Sequence, residues 1–313
     1  DNVDIPGAIN FMAASRIMHE NDDQAKNYYL FRNTTTTGEW TFVPWDKDLT
    51  WGRNYTRQGS IFESLYNDTI WADNDTTRPF PGSANASPSH PLFGDSSHTK
   101  NDGPWCRLSD TIIDNPVTRR MYLRRLRTQM DELLQTSNTP LGNRILENRI
   151  EELYAQMSEE VALDRTIWAS PNPPYGAAQT FRQAIDIIKN DYLPRRRNHF
   201  FNTHTASGRF DIPSSPQASK PTINFGSFDY NPASGDQDHE YLELTNPNNL
   251  DVDVSGWFLQ GGISHTLKPG TVIPANGSLY LAPNAIAFRQ RAISPTGGQQ
   301  RFVQGNYTGH LSN

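Results

Sequence analysis

The sequence has little that would cross-link it covalently, place it in a membrane or bind it to nucleic acid. It contains one cysteine, Cys106, which excludes an internal disulfide. No apolar run approaches the roughly 20 residues that a membrane-spanning helix requires, so no membrane span is predicted. The net charge of −6 argues against nucleic acid as the main partner. Aromatic residues are plentiful, with 7 Trp, 12 Tyr and 15 Phe, and they supply packing units for globular cores.

The most informative stretch covers residues 19–52. After the polar end of a helix, its pattern predicts one strand over 27–32 and a second over 40–45. A Thr-rich turn that ends in Gly38 joins the two strands. The sequence therefore predicts a hairpin, and Asp46 follows directly after its second strand.

Three polar side chains in this stretch have the order that phosphoryl transfer requires. That chemistry needs a carboxylate to orient the acceptor hydroxyl, and a carboxamide and a second carboxylate to hold Mg²⁺ on nucleotide phosphates. Protein kinases separate the first two by four residues and place the second carboxylate after the next hairpin. Asp22, Asn27 and Asp46 follow this order. The spacing alone is also compatible with an ordinary hairpin, because Asp, Asn and Gly are common in turns.

A second carboxylate accompanies Asp46. Asp46 and Asp48 lie two positions apart, so in an extended strand both side chains would point to the same face. Two carboxylates on one face repel each other unless a cation lies between them. We favour a divalent metal at this position, and neutralisation by Lys47 or Arg53 is the alternative.

Three sequence motifs around these residues resemble those of a known protein family. They are Asn27-Tyr28-Tyr29-Leu30-Phe31-Arg32, then Gly38-x-Trp40, then Pro44-Trp45-Asp46-Lys47-Asp48-x-Thr50-x-Gly52. Together they resemble the core of the spore-coat CotH kinase family, a secreted or surface-associated branch of the protein-kinase-like fold.

The resemblance implies a role for each candidate residue. Asp22 takes the catalytic position, and the doublet it forms with Asp23 leaves Asp23 as the alternative. Asn27 and Asp46 take the cofactor-binding positions, where they hold Mg²⁺ (or Mn²⁺) on ATP with Asp48 in support. The chain departs from the family pattern at Lys26, where the family usually has His.

Residues on both sides of the hairpin give further predictions. Asp4, an N-cap before an Ile-Pro pair, starts a helix that runs to about Met18 and leads into the catalytic loop. His19 is interpreted as a solvated or capping histidine. Residues 72–104 are rich in Asp, Asn, Ser, Pro, Gly and Thr, which predicts a long surface loop.

Helical spacing dominates residues 108–201. The helix that opens at Asn115 carries five arginines, interpreted as an exposed face with acidic partners on the same helix: Arg119, Arg120, Arg124, Arg125 and Arg127. A later helix ends in the arginine run 195–197, where positive charge suits a helix C-terminus. This bundle resembles the lower half of a kinase C-lobe.

The composition changes after residue 202. Residues 203–220 contain almost no large apolar side chain, which predicts a linker sensitive to proteases. Beyond it, short alternating segments separated by turns predict an all-β sandwich. Four motifs there resemble the lamin-tail domain, which implies an immunoglobulin-like fold: Glu240-Tyr241-Leu242-Glu243-Leu244-Thr245-Asn246-Pro247, Asp253-x-Ser255-Gly256-Trp257, Pro269-Gly270-Thr271-x-Ile273-Pro274 and Gly305-x-Tyr307-x-Gly309-x-Leu311-Ser312-Asn313.

The predicted fold class is α+β and multidomain. A kinase-like C-lobe, mostly helical with a catalytic β-hairpin, is expected over 1–202, a linker over 203–220 and an immunoglobulin-like all-β sandwich over 221–313. The resemblance implies a kinase that transfers phosphate from Mg-ATP to Ser or Thr of a surface or secreted protein. The expected location is extracellular or on a cell or spore surface, and the sandwich is expected to be a targeting or docking domain.

The activity of the chain by itself is a separate question. Only 21 residues precede Asp22, whereas a kinase also needs a nucleotide-covering lobe with a phosphate-binding lysine. We therefore expect the chain to be part of a longer kinase and inactive by itself. The alternative is a non-catalytic cell-surface or adhesion module that combines a degenerate kinase lobe with the sandwich.

Overall fold

A computed structural model gives the fold over residues 2–20, 27–47, 50–51, 107–168, 180–205 and 212–311. The loop predicted at 72–104 lies outside the described residues. Helices fill most of the described chain up to residue 205, and one short helix lies near its end. Their bounds are α1 (Ile5–Ile17), α2 (Arg107–Asp114), α3 (Pro116–Gln129), α4 (Ile145–Trp168), α5 (Phe181–Ile187), α6 (Leu193–Asn198) and α7 (Ala285–Arg289).

Strands form one hairpin early in the chain and several small sheets in its last third. Their bounds are β1 (Tyr28–Arg32), β2 (Trp40–Pro44), β3 (Asn224–Asp229), β4 (Tyr241–Thr245), β5 (Val252–Asp253), β6 (Phe258–Leu259), β7 (Ile263–Thr266), β8 (Val272–Ile273), β9 (Ser278–Leu281), β10 (Val303–Gln304) and β11 (Thr308–Gly309). The sheets have the orders β1-β2, β10-β9-β4-β3, β11-β7-β6 and β5-β8.

The predicted starts of α1 and α3 are confirmed by their caps. The Asp4 carboxylate accepts the Gly7 amide at 3.2 Å, and a proline lies in the first turn of each helix. The Asn115 side chain accepts the Val117 amide at 2.9 Å. Capping oxygens satisfy amides that have no carbonyl partner inside the helix, so short sequence signals are enough to fix these two boundaries.

The last helical segment extends further than the sequence predicts. It was expected to end at 195–197, but π-helical turns flank α6 and continue the helix to Thr203. Pro194 lies at the start of α6 and cannot donate to a carbonyl of the preceding turn. The π-helical turn just before it, Ile188–Tyr192, accommodates the missing hydrogen bond without breaking the helix.

The helical part has one core that joins α1 to the later helices. Fully buried apolar side chains from α1, from α3 with the π-helical turn that follows it, and from the segment after α5 meet there, among them Ile9, Ala13, Leu126, Met130, Leu134, Leu193 and Phe200. The β-rich part has its own core, built from inward-facing residues of several sheets, among them Val254, Leu267, Ile273, Leu279 and Leu281. The predicted fold class, a helical lobe with a hairpin followed by an immunoglobulin-like sandwich, is confirmed.

The two parts are packed against each other. Helix α3 lies on the β5-β8 pair, and Val272 of β8 belongs to the helical core. The Arg125 guanidinium donates to Asp253 Oδ2 at 3.1 Å and to Asn10 Oδ1 at 2.9 Å. Because Asp253 is buried, this ion pair is part of the interface between the parts rather than of the surface.

These contacts correct the interpretation of the arginine face. Arg124, Arg125 and Arg127 are buried, and Arg120 pairs with Asp251 of the sandwich at 3.5 Å. Arg127 has the expected acidic partner one turn further along the chain, Asp131 at 2.9 Å. The pattern gave no indication of a domain that covers α3, so charged side chains were assigned to solvent.

The described part of the linker is also tied to both domains. Ile212 is fully buried in the helical core, and the Pro213 carbonyl accepts a hydrogen bond from Arg127 at 2.7 Å. Gln217 exchanges two hydrogen bonds with the backbone of Asp253. Residues 212–217 therefore pack against both domains, and the protease sensitivity of the linker stays a prediction. Across the described ranges, no helix is long and apolar enough to cross a bilayer.

Candidate active site

The hairpin of β1 and β2 brings two of the candidate residues to one end. Its register pairs Tyr28 with Pro44 at the open end. One step further, the Trp45 amide donates to the Asn27 carbonyl at 3.1 Å. Asp46 is the next residue in the chain, so Asn27 and Asp46 leave the hairpin from neighbouring strands.

Both residues adopt the left-handed backbone conformation, with φ of 63° at Asn27 and 53° at Asp46. Asn and Asp tolerate this region better than other residues with a Cβ. The conformation turns the chain sharply out of β2, so Asp46 itself is not part of an extended strand. Asp48 lies outside the described residues, and the idea that the two carboxylates share one face stays a prediction. Asp46 is exposed and Asn27 is half-buried.

The donor set fits a hard divalent cation. A carboxamide oxygen and a carboxylate oxygen are ligands that Mg²⁺ uses, and Mg²⁺ commonly takes only one or two protein carboxylates beside phosphate and water. Among the residues that the structure describes, no three His, Cys, Asp or Glu side chains gather into a metal site. Asp22, Asp23 and Asp48 lie outside the described residues, as does Arg53, one of the alternative neutralising groups.

The other alternative, Lys47, has a different partner. Its ammonium lies 3.8 Å from Glu20 Oε2, and Glu20 is fully buried. It also lies over the Phe11 ring, 5.3 Å from the centroid. Glu20 comes two residues before Asp22 and Lys47 comes directly after Asp46. This ion pair therefore joins the two chain segments that carry the candidate catalytic and metal residues.

His19 corrects another prediction, because it is buried and not solvated. Its ring stacks on Tyr192 with centroids 6.3 Å apart, and its φ of 53° is left-handed. The backbone turns out of α1 at this residue, which places the ring in the interior. A histidine at the polar end of a helix gives no sequence signal that its ring turns into the interior.

A buried arginine and a buried tyrosine donate hydrogen bonds to backbone carbonyls at the C-terminal end of α1. The Arg196 guanidinium donates to the Arg16 carbonyl and lies 3.0 Å from His199 Nδ1. The Tyr192 hydroxyl donates to the Ile17 carbonyl at 3.2 Å. Burial raises the pKa of Tyr192 well above its ordinary value, so the phenol stays a neutral donor.

The role of Arg196 was missed by sequence reasoning. The run 195–197 was interpreted as charge near a helix C-terminus, but Arg196 is fully buried, and Arg197 is buried in an ion pair with Glu147 at 2.6 Å. Arg195 has the partner expected of a surface residue, Asp191 at 2.9 Å. The available signal was the position of the run inside an apolar helix pattern that continues to Phe200.

We expect Lys47→Met to lower the free energy of unfolding by about 2 kcal/mol, because it removes the Lys47 ammonium from its ion pair with the buried Glu20 carboxylate. The matched control is Lys189→Met, which breaks the Lys189–Glu151 pair on the surface, where both side chains are partly exposed. That change should cost about 0.5 kcal/mol. Urea unfolding of both variants measures the difference. Equal losses would contradict a special role for the Glu20–Lys47 pair.

The hairpin, the two candidate metal-ligand residues at its open end and the helical bundle that packs against it have the arrangement expected of a kinase-like lobe. The family model described as "CotH kinase protein" matches residues 1–199, and the chain belongs to that family. The model described as "Lamin Tail Domain" matches residues 216–310. Both matches confirm the architecture expected from the motifs. No curated protein and no solved structure gave a significant match.

Proposed function

We propose that this chain is part of an Mg²⁺- and ATP-dependent protein kinase that phosphorylates Ser or Thr of a surface or secreted protein. The observation that carries the proposal is the juxtaposition of Asn27 and Asp46 at the open end of the hairpin, fixed by the Trp45–Asn27 backbone hydrogen bond at 3.1 Å. Membership of the CotH kinase family supports it. An extracellular or spore-surface location is part of the same proposal.

Each candidate residue has a defined task in this mechanism. Asp22 accepts a hydrogen bond from the acceptor hydroxyl and orients its oxygen towards the terminal phosphate. Asn27 and Asp46 supply oxygen ligands for Mg²⁺, with Asp48 in support. When bound there, the cation would neutralise negative charge on the phosphates. The protein contributes to catalysis by positioning the reacting groups. Small displacements of these side chains would therefore lower the rate of phosphate transfer.

The face of the hairpin that points away from α1 offers a surface for the nucleotide base. Tyr29, Phe31, Val43 and Trp45 are all exposed there, at 57, 56, 41 and 58%. The rings of Tyr29 and Trp45 contact each other edge to face with centroids 5.7 Å apart. Flat aromatic side chains stack on nucleobases irrespective of base identity, so this face suits an adenine next to the proposed metal ligands.

We expect Mn²⁺, used as a probe for Mg²⁺, to bind the chain in the presence of ATP. Asp46→Asn should weaken that binding by about tenfold or more, since it removes the Asp46 carboxylate, a proposed metal ligand. The matched control is Asp164→Asn, the same chemical change at an exposed position of α4. Electron paramagnetic resonance of free Mn²⁺ measures the affinity.

Two outcomes would count against the site. One is an Mn²⁺ affinity that Asp46→Asn leaves unchanged, and the other is an equal loss in Asp164→Asn. A chain that binds neither Mn²⁺ nor ATP, also within the full-length protein, would favour the alternative of a non-catalytic surface module.

A further inference from the structure

The sandwich contacts the hairpin at the end opposite to the candidate metal ligands. Glu39, in the turn between β1 and β2, accepts from Arg289 at 2.6 Å and lies 3.2 Å from the Lys268 ammonium. Arg289 also donates to the Thr37 carbonyl at 2.8 Å. A Cβ built on Gly38 would lie 3.6 Å from the Ile286 side chain. The turn is thus held by α7 and by the loop before β8.

These contacts form a compact, charge-balanced cluster. Lys268 also pairs with Asp4 at 3.3 Å, so two carboxylates from the helical lobe face two cations from the sandwich. Glu39 is buried, and a buried carboxylate is stable only when it is paired and hydrogen-bonded. Loss of one cation would leave Glu39 partly uncompensated and would loosen the turn.

The hairpin needs such support because it is a two-stranded element with one free face. A lone hairpin is at best marginally stable in water. On the side of α1, the Phe42 ring stacks on Phe11 with centroids 4.8 Å apart. The opposite face is exposed at Tyr29 and Phe31. Five residue pairs connect the turn to the open end, so a tilt at the turn moves Asn27 and Asp46 together.

We propose that the lamin-tail domain is a built-in brace of the kinase lobe, in which Arg289 and Lys268 act through Glu39 as positioning residues for Asn27 and Asp46. The proposal rests on the proposed function for its link to the metal site, whereas the brace itself is a property of the fold. It assigns the domain a role inside the lobe in addition to any targeting. Its consequence is that the affinity for the cation depends on a residue at the far end of the hairpin.

The test compares two arginines of one domain that are two positions apart. Arg289→Gln releases the hairpin turn. Arg291→Gln removes hydrogen bonds to Asp229 and Pro295, which belong to the sandwich itself, and so controls for general loss of domain stability. Arg289→Lys keeps the charge beside Glu39 and serves as the conservative rescue.

Two readouts are measured on folded protein: hydrogen exchange of the amides in 28–32 and 40–44, and Mn²⁺ affinity with ATP. Arg289→Gln should accelerate hairpin exchange by about tenfold, as expected for loss of a charge-assisted hydrogen bond. It should weaken Mn²⁺ binding by about threefold to tenfold. Arg289→Lys should recover most of both effects, and Arg291→Gln should leave hairpin exchange and Mn²⁺ affinity unchanged even where it lowers the melting temperature.

The outcomes separate this proposal from the proposed function. Equal hairpin exchange in Arg289→Gln and Arg291→Gln overturns the brace. Faster exchange without any change in Mn²⁺ affinity overturns the positioning role. If the wild-type chain binds no Mn²⁺ at all, the proposed metal site fails, and the exchange data still decide whether the lamin-tail domain holds the hairpin.

Discussion

Gly270→Ala is expected to lower the free energy of unfolding by about 3 kcal/mol or more, from backbone strain and a steric clash together. Gly270 follows Pro269 in a tight turn that the Thr271–Lys268 backbone hydrogen bond closes at 3.1 Å, and its φ is +88°. Glycine adopts this conformation without the steric cost of a Cβ. An added Cβ would also lie 2.0 Å from the Pro6 carbonyl oxygen, so the sandwich would have to move away from α1.

The control for this prediction is Gly256→Ala. Gly256 has a similar φ of +73°, but no atom lies within 4 Å of a Cβ built there. It should therefore show the conformational cost alone, about 1 kcal/mol. Chemical denaturation of both variants, followed by far-ultraviolet circular dichroism, gives the two values. If both glycines cost the same, the close approach of the sandwich to α1 is not an energetically important contact.

Local features of the fold were predictable because local chemistry determines them. Asp4 and Asn115 mark helix starts through their own side-chain caps, and apolar residues at alternate positions mark β4 and β9 as strands. The hairpin could be predicted for the same reason, since its strands and its turn are close in sequence. The closeness of Asn27 and Asp46, the candidate metal ligands, has the same local origin, because antiparallel pairing brings the residue before β1 next to the residues after β2.

The packing between domains could not be predicted from the sequence. Arg125 and Asp253 are 128 residues apart. The sequence around each of them gives no indication of the other. Sequence reasoning assigns charged residues to solvent by default, so buried arginines on α3 and α6 were interpreted as surface charge. Ile212 is a similar case, since a few apolar residues in a polar segment leave its composition typical of a linker.

The largest expected effect on activity follows from Asp22→Ala. In the full-length protein, this change should lower the rate of phosphate transfer by about 10² or more and leave nucleotide binding almost unchanged, since a residue that orients the acceptor acts mainly in the transition state. Asp46→Ala should weaken Mg²⁺-nucleotide binding as well, because it removes a metal ligand. Transfer of radiolabel from ATP to a Ser-rich acceptor protein measures the rate.

Asp23→Ala is the matched control, because it makes the same change one position along and decides the register of the catalytic carboxylate. If Asp23→Ala abolishes transfer and Asp22→Ala does not, the roles of the two residues are exchanged while the kinase mechanism stands. If both variants transfer phosphate at the wild-type rate, no carboxylate before Asn27 orients the acceptor, and the mechanism is wrong. A wild-type full-length protein without transfer on any acceptor would instead favour a lobe that has kept the kinase fold, with its lamin-tail brace, for binding.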